Sequence, residues 1–515
     1  MALFRKNSLL LYMIFILFFG SIILLYSSLY SKNIESVDYP KDIRSSLTQQ
    51  TTKGPTMANC SCPTCPPSLS TPHSIEEEGA ATHPPTVRKE TENHPIVPTN
   101  LSTNVMHGKT LYKENPLVWA KVGDATFFSA YYEDRKERYG PSIVLLGYQS
   151  RQTEGGTFYC LFHYKEGDGE RTLSCQSQKS VYIEMDACNY QKEVHKKKPY
   201  KYKHVFHVCH LPGGDTRVPT AVSLSSAHTC EPSSTPVPVY VYRPLVKANI
   251  GVCLETPVFG KSLEDMVNFI EMQRIFGAQT ITIYLLDVST EIEEQLKRAY
   301  ARDESLTLEV LHWSKGFKEK DPLHYYGEIL AIHDCYYRNL HRVNYLAMLD
   351  LDEVIVSRRH SDWHQMLQEL DKDYVDSFIF INSVYLRTPD NELPKVKTTE
   401  LESYLCPGHS LPPYFLHYGK SKCRFHYYER SKFIVKPLTI LDTDIHGPCT
   451  RLMETTHLFV PDDMAVSQHY RDKPTIECKP NRKTKKYEVS YDDWLLRYGK
   501  EFLLGTKRKL CPNVN

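Results

Sequence analysis

The chain has 515 residues, and its 62 basic and 61 acidic side chains leave a formal charge of +1. So even a balance provides no global field for nucleic acid. The length allows more than one domain, and the 41% apolar content is enough for a packed core.

Leu9 to Tyr30 is an uncharged run of 22 residues (LLLYMIFILFFGSIILLYSSLY). As a helix it spans about 33 Å, against about 30 Å for a bilayer core. Arg5 and Lys6 precede it, and the mixed-sign SKNIESVDYPKD follows. The positive-inside tendency predicts a cytosolic tail over residues 1–8, a transmembrane signal anchor over 9–30 and a lumenal remainder. A cleaved signal peptide would need a shorter apolar region and a small-x-small cleavage site. Residues 31–115 are rich in Pro, Ser and Thr with no sustained apolar period, and read as a disordered stem. Asn59 and Asn100 in the stem are N-x-S glycosylation acceptors. Its cysteines, Cys60, Cys62 and Cys65, allow a disulfide-linked dimer; a zinc site there would need a fourth ligand. The chain's other twelve cysteines suit an oxidising lumen, although Cys335, inside a predicted helix, also reads as a buried free thiol.

Residues 116–245 hold short β-branched and aromatic runs between Gly, Pro and charged turns: ATFFSAYYE, SIVLLGYQS, GTFYCLFHYKE, SVYIEM, YKHVFHVCHL and VPVYVYRP. They predict a small β-rich domain, as a sandwich. The basic run from His195 to His204 reads as a solvated strand edge.

From residue 246 to 515 strands and helices alternate. NIGVCLETPVFG opens with a strand. Ser262 and Asp265 then cap a helix with a stripe of Leu263, Met266, Val267 and Ile270, and Gly277 ends it. Strand TITIYLLD follows. Thr290 and Glu293 predict a second capping box, then come strand LTLEVL, a helix through YYGEILAIHDCYYRN and a strand running into LDLDEVIV. This βαβαβαβ order predicts a mainly parallel sheet covered by helices, with ligands beyond the carboxyl ends of its strands.

Asp350 and Asp352 lie at such an end. A buried carboxylate is costly unless paired or metal-bound. Two carboxylates one residue apart can hold Mn²⁺ (or Mg²⁺) against a diphosphate, where the ion acts as a Lewis acid. A bare D-x-D is a weak signal. At the end of an apolar strand, on the lumenal side of a type II anchor with a stem, it points to a Golgi glycosyltransferase.

The stretches VCLETPVFGKSLEDMVNFIEMQRIFGAQTITIYLLD, GEILAIHDCYYRN, VNYLAMLDLDEVIV, SKFIVKPLTILDTDIHG and SQHYR resemble glycosyltransferase family 92 over residues of about 250 to 475. The resemblance implies a GT-A-type, Rossmann-like catalytic domain. It also implies metal-dependent inverting transfer of galactose from UDP-galactose to a glycan acceptor on a glycoprotein or glycolipid. Asp350 then lies near the nucleotide ribose and a metal-bound water, and Asp352 on the metal. A histidine ligand comes from His446 or His469. Thr256 and Asp287 approach the nucleotide, and Lys436 and Arg471 counter the diphosphate charge. Asp390 and Glu392 are candidate bases for the acceptor hydroxyl. The family usually has Gly-Gln where this chain has Gly327-Glu328, so Glu328 receives no role; Glu353 is read either as a supporting carboxylate or as solvent-facing.

Three other readings compete. A membrane-tethered lectin-like or adhesion protein would use the D-x-D as a calcium site, but the motif lacks the spaced oxygen ligands of a calcium loop. A nucleotide-processing hydrolase would want more clustered carboxylates or a basic field. The third is a catalytically dead family member.

Overall fold

The computed structural model describes residues 117–512, apart from 136–139, 153–156, 167–169, 185–199, 213–216, 242, 245, 314–322, 387–398, 424 and 472–486. The predicted anchor and stem, Asn59, Asn100, Asp390 and Glu392 lie outside the described residues. Among the described residues no helix is long and apolar enough to cross a membrane.

Strands β1 (Ala120–Val122), β2 (Ala125–Glu133), β3 (Ser142–Ser150), β4 (Tyr159–Glu166), β5 (Glu170–Lys179), β6 (Val181–Glu184), β7 (Tyr202–His210), β8 (Ala221–Ser225) and β9 (Val237–Tyr240) build the β-rich part. They pair in the order β5-β4-β8-β9-β2-β3-β7-β6, with β1 on β2. Four strands separate β4 from β7 along this path, about 24 Å in a flat sheet. Yet the disulfide Cys160–Cys209 joins these two strands at a Cα–Cα distance of 5.9 Å. The sheet therefore folds over on itself. Phe127, Ile143 and Val205 of one half share a core with Cys160, Phe162 and Leu224 of the other. Lys203 and His204 are buried within β7 and are not a solvated edge.

The α/β part runs β10 (Ala248–Leu254), α1 (Leu263–Ile275), β11 (Thr280–Leu285), α2 (Thr290–Tyr300), β12 (Thr307–His312), α3 (Glu328–Asn339) and β13 (Val343–Leu349). Strands β12, β11, β10 and β13 are neighbours and all parallel. Ser262 caps α1 in a reciprocal box with Asp265. The cap of α2 falls one residue earlier than expected: Ser289 accepts from Ile292 N, and Thr290 is already helical. Beyond β13 come β14 (Glu353–Ser357), α4 (Trp363–Leu370), β15 (Val375–Phe380), β16 (Asn382–Leu386), α5 (Thr399–Glu402), β17 (Gly419–Ser421), β18 (Lys432–Val435), β19 (Ile440–Asp444), β20 (Gly447–Arg451), β21 (Thr456–Val460), β22 (Ala465–Arg471), β23 (Val489–Tyr491) and α6 (Gly499–Leu510). Strand β18 inserts antiparallel between β13 and β15, and β21 ends the seven-stranded sheet. A second sheet has the order β14-β22-β16-β17-β23. The apolar run SFIFINSVYL is thus not one strand. It breaks at Ile381 and serves two sheets as β15 and β16.

Helix α3 lies between the folded β-sheet and the seven-stranded sheet, and all twelve of its residues are buried. Its side chains share a core with Phe128, Tyr131, Leu146 and Phe206 of the β-rich part and with Tyr284, Leu346 and Met348 of the α/β part. Cys335 is not a free thiol; it is bonded to Cys253 and ties α3 to β10. The buried Asp334 accepts hydrogen bonds from Tyr131 at 2.5 Å, Tyr284 at 2.7 Å and Arg338 at 2.6 Å. Asp334→Ala leaves the Tyr284 hydroxyl and part of a buried guanidinium unpaired, and the Tyr131 hydroxyl with only the backbone carbonyl of residue 334 at 3.3 Å. The expected cost is about 3–5 kcal/mol, read as a lower urea midpoint. A loss below about 1 kcal/mol would show that this network does not hold the two parts together.

Candidate active site

The carboxyl ends of β10, β11 and β13 converge, as parallel pairing in register requires. Strand β13 stops at Leu349, so Asp350 and Asp352 occupy the turn into β14 rather than the strand itself. Glu255 and Thr256 follow β10, and Glu255 N donates to Leu349 O at 3.0 Å. The segment after Thr256 then runs beside the end of β11, with Val258 N donating to Tyr284 O and Leu286 N to Val258 O. This brings Thr256 and Asp287 to neighbouring strand ends. Asp287 is exposed, with φ 55° in the left-handed region.

Thr256 Oγ1 lies 2.5 Å from Glu328 Oε1 and 2.9 Å from Asp350 Oδ1. Glu328 starts α3, and three consecutive left-handed residues precede it: Tyr325 (φ 36°), Tyr326 (φ 60°) and Gly327 (φ 87°). For two tyrosines this is strained backbone, of the kind that collects at functional sites. Phe259 and Tyr325 are exposed large apolar residues, and the Phe259 ring lies 5.3 Å from that of Tyr326.

Behind the aspartates lies a fully buried lysine that the sequence reading did not single out. Lys432 opens β18, and its Nζ pairs with Glu255, with Asp350 Oδ2 at 2.9 Å and with Glu353 Oε2 at 3.5 Å. Burial would discharge Lys432, but Asp350, Glu255 and Glu353 hold it firmly protonated; burial, with Asp350 beside it, pushes the Glu255 carboxyl well up even against the Lys432 ammonium. Burial would likewise raise the Asp350 carboxyl; the Lys432 ammonium outweighs it and holds Asp350 below the usual carboxylate range.

In front, Asp352 is half exposed, and its Oδ2 is 3.2 Å from His469 Nε2. The other ring nitrogen, Nδ1, is 3.0 Å from Glu353 Oε1. Pairing of β14 with β22 sets Glu353 opposite His469, which fixes this contact. Glu353 is buried, so it is a supporting carboxylate and not a solvent-facing one; Asn382 Nδ2 also donates to it at 3.0 Å. Burial opposes charge on His469, but Glu353 and Asp352 overcome it and raise its pKa to about 10.

His446 stands in the β19–β20 turn, where Gly447 packs so closely under Tyr428 that a Cβ would meet the ring at 2.6 Å. Its Nδ1 donates to Ser431 O at 3.3 Å, which leaves the lone pair on Nε2. Burial and the nearby Lys432 push its pKa down to about 3, so it is neutral, and it also feels the Asp350 charge. Arg471 ends β22, two residues beyond His469. Lys436 is elsewhere. Its Nζ binds Asp371 Oδ1 at 2.6 Å and Lys372 O at 3.0 Å. The reason is register: β18 runs antiparallel to β13, so each residue after Lys432 moves away from the strand end that carries Asp350.

The donors at the mouth suit a divalent ion. Two neighbouring ligands of an octahedral ion at about 2.1 Å stand about 3 Å apart, close to the Asp352–His469 separation. Carboxylate with imidazole fits Mn²⁺, and a histidine whose second nitrogen is held by a carboxylate has the usual orientation of a metal ligand. Elsewhere among the described residues, the donor atoms of Cys406, His409 and Cys511 lie within 4.8 Å of one another. Cys406 and Cys511 form a disulfide, however, which removes both sulfurs from ligand chemistry.

A mixed α/β fold of several sheets, with carboxylates gathered at its parallel strand ends, has the form of a glycosyltransferase domain. Residues 248–497, just under half of the chain, match the model described as glycosyltransferase family 92. No curated protein matches the chain. A solved structure described as apo-UDP-glucose pyrophosphorylase is 11% identical and covers 52% of this chain and 99% of its own. Its TM-score of 0.19 lends it no weight.

Proposed function

We propose that the chain is a metal-dependent, inverting galactosyltransferase of GT-A type, moving galactose from UDP-galactose to a glycan acceptor on a glycoprotein or glycolipid. The observation that carries the reading is the Asp352–His469 pair, backed by Glu353, where the turn after the parallel strand β13 meets β22 of the second sheet in a region that matches family 92. Mn²⁺ or Mg²⁺ would be held by Asp352 and His469, with Asp350 and His446 adjoining, and supplies Lewis-acid stabilisation of the leaving diphosphate. Thr256 and Asp287 border the nucleotide, and Arg471 faces the diphosphate charge. Asp390 or Glu392 takes the acceptor hydroxyl proton.

The test is transfer of labelled sugar from a panel of nucleotide sugars to galactose-terminated and fucose-bearing glycans, with and without Mn²⁺. UDP-galactose is expected to be the donor, and chelation to abolish transfer. Transfer from another donor would overturn the galactose assignment, and no transfer from any donor would favour a catalytically dead member.

We also propose a single-pass type II Golgi protein with its catalytic domain in the lumen. Glycosidase treatment of the cell-made protein should lower its apparent mass through Asn59 and Asn100. No shift on losing either asparagine would remove the lumenal stem.

A further inference from the structure

The acidic site has an inner and an outer half, and they differ in what neutralises them. The outer half holds Asp352, half exposed, against His469. The inner half holds Glu255 and Glu353, both buried, and the second oxygen of Asp350. These three carboxylates come from the ends of three different strands, and Lys432 reaches all of them. Its side chain is 1% exposed. An ammonium among three carboxyl groups stands where a second divalent ion would find its oxygen ligands. Unlike an ion it cannot leave, because β18 is hydrogen-bonded on both sides, to β13 and β15.

We propose that Lys432 is a positioning residue that fills the inner half as a permanent cation, bracing Asp350 and Glu353 from behind and confining the exchangeable divalent ion to Asp352 and His469. This rests on the metal-dependent reading above. It has two consequences. The site takes one ion rather than two. Glu353, braced by Lys432 on one oxygen, holds His469 with the other.

Mn²⁺ binding by the full lumenal chain tests this, read from the electron paramagnetic resonance of free and bound ion, with thermal melting in parallel. Wild type is expected to bind one Mn²⁺ with nitrogen coupling from histidine. Lys432→Met keeps the length but removes the charge, so the freed carboxylates take up more Mn²⁺. Uptake should exceed one ion per chain, or the single ion should bind about tenfold more tightly or better, while transfer falls. A folded Lys432→Met protein with wild-type stoichiometry and affinity overturns the proposal, since a merely structural lysine would leave both unchanged. If Lys432→Met does not fold even with Mn²⁺, Lys432→Arg decides. Its charge is kept but its bulk reaches outward, so one ion should bind about tenfold more weakly or worse, with the fold intact; wild-type affinity there overturns the proposal. A wild type that binds no Mn²⁺ overturns the metal-dependent reading itself, and is thereby distinct from a failure of Lys432 alone.

Discussion

Asp352→Asn is expected to lower galactose transfer by roughly a hundredfold or more, the loss typical of removing one strong transition-state contact, with little change in melting temperature. The side chain is half exposed at the site mouth, and Asn fills the same space. What is lost is a ligand charge and the charged partner of His469 Nε2. Excess Mn²⁺ should restore only part of the rate. Near wild-type turnover in this variant would sink the metal-site reading. Asp350→Asn should differ in stability. Asp350 is braced by Lys432 and Thr256, so the substitution weakens a buried network and is expected to cost about 1–3 kcal/mol as well as activity. Equal melting temperatures for the two variants would mean that the Lys432 contact contributes nothing to the fold.

Removing the β-rich part should do more damage than any single substitution. A chain starting near Pro116 is expected to be soluble and active when given a signal peptide, whereas one starting at Lys247 should be insoluble or without a cooperative melt. The shorter chain loses the cover of α3. Tyr337 stacks on Tyr131, His333 meets Phe206, and Trp313 is enclosed by Trp119 and Phe128. Each large apolar side chain returned to water costs about 1.5–3 kcal/mol. Polar losses add to this. Asp334 loses the Tyr131 hydroxyl, and Tyr336 and the Ile440 carbonyl lose Arg135. Against a total stability of about 5–15 kcal/mol, little would remain. Equal solubility and activity from the two chains would show the β-rich part to be a passenger.

Much of the fold was legible in the residues because it is local. Short β-branched and aromatic runs marked β2, β3 and β7, the Ser262–Asp265 box marked the start of α1, and the strand–helix alternation up to β13 gave the parallel order. The Asp350–Asp352 pair was visible for the same reason: two charges directly after an apolar strand stand out within ten residues of text. Pairings between distant segments were not legible. Lys432 opens KFIV as any solvated strand-end lysine would, and only the insertion of β18 between β13 and β15 buries it among Glu255, Asp350 and Glu353. Lys436, four residues on, is the lysine that the resemblance offers to the diphosphate, but the antiparallel register carries it to Asp371. His469 and Glu353 meet because β14 and β22 pair across more than a hundred residues. The apolar run SFIFINSVYL carried no mark of its break at Ile381, because which sheet a strand joins depends on the edge left open by others. Local periodicity and capping are written in neighbouring residues, and the sequence determined those. The burial of α3 between two sheets, the pairing of Cys253 with Cys335 and the cation behind the aspartates arise only when strands far apart in the chain come into register, and only the tertiary structure decided them.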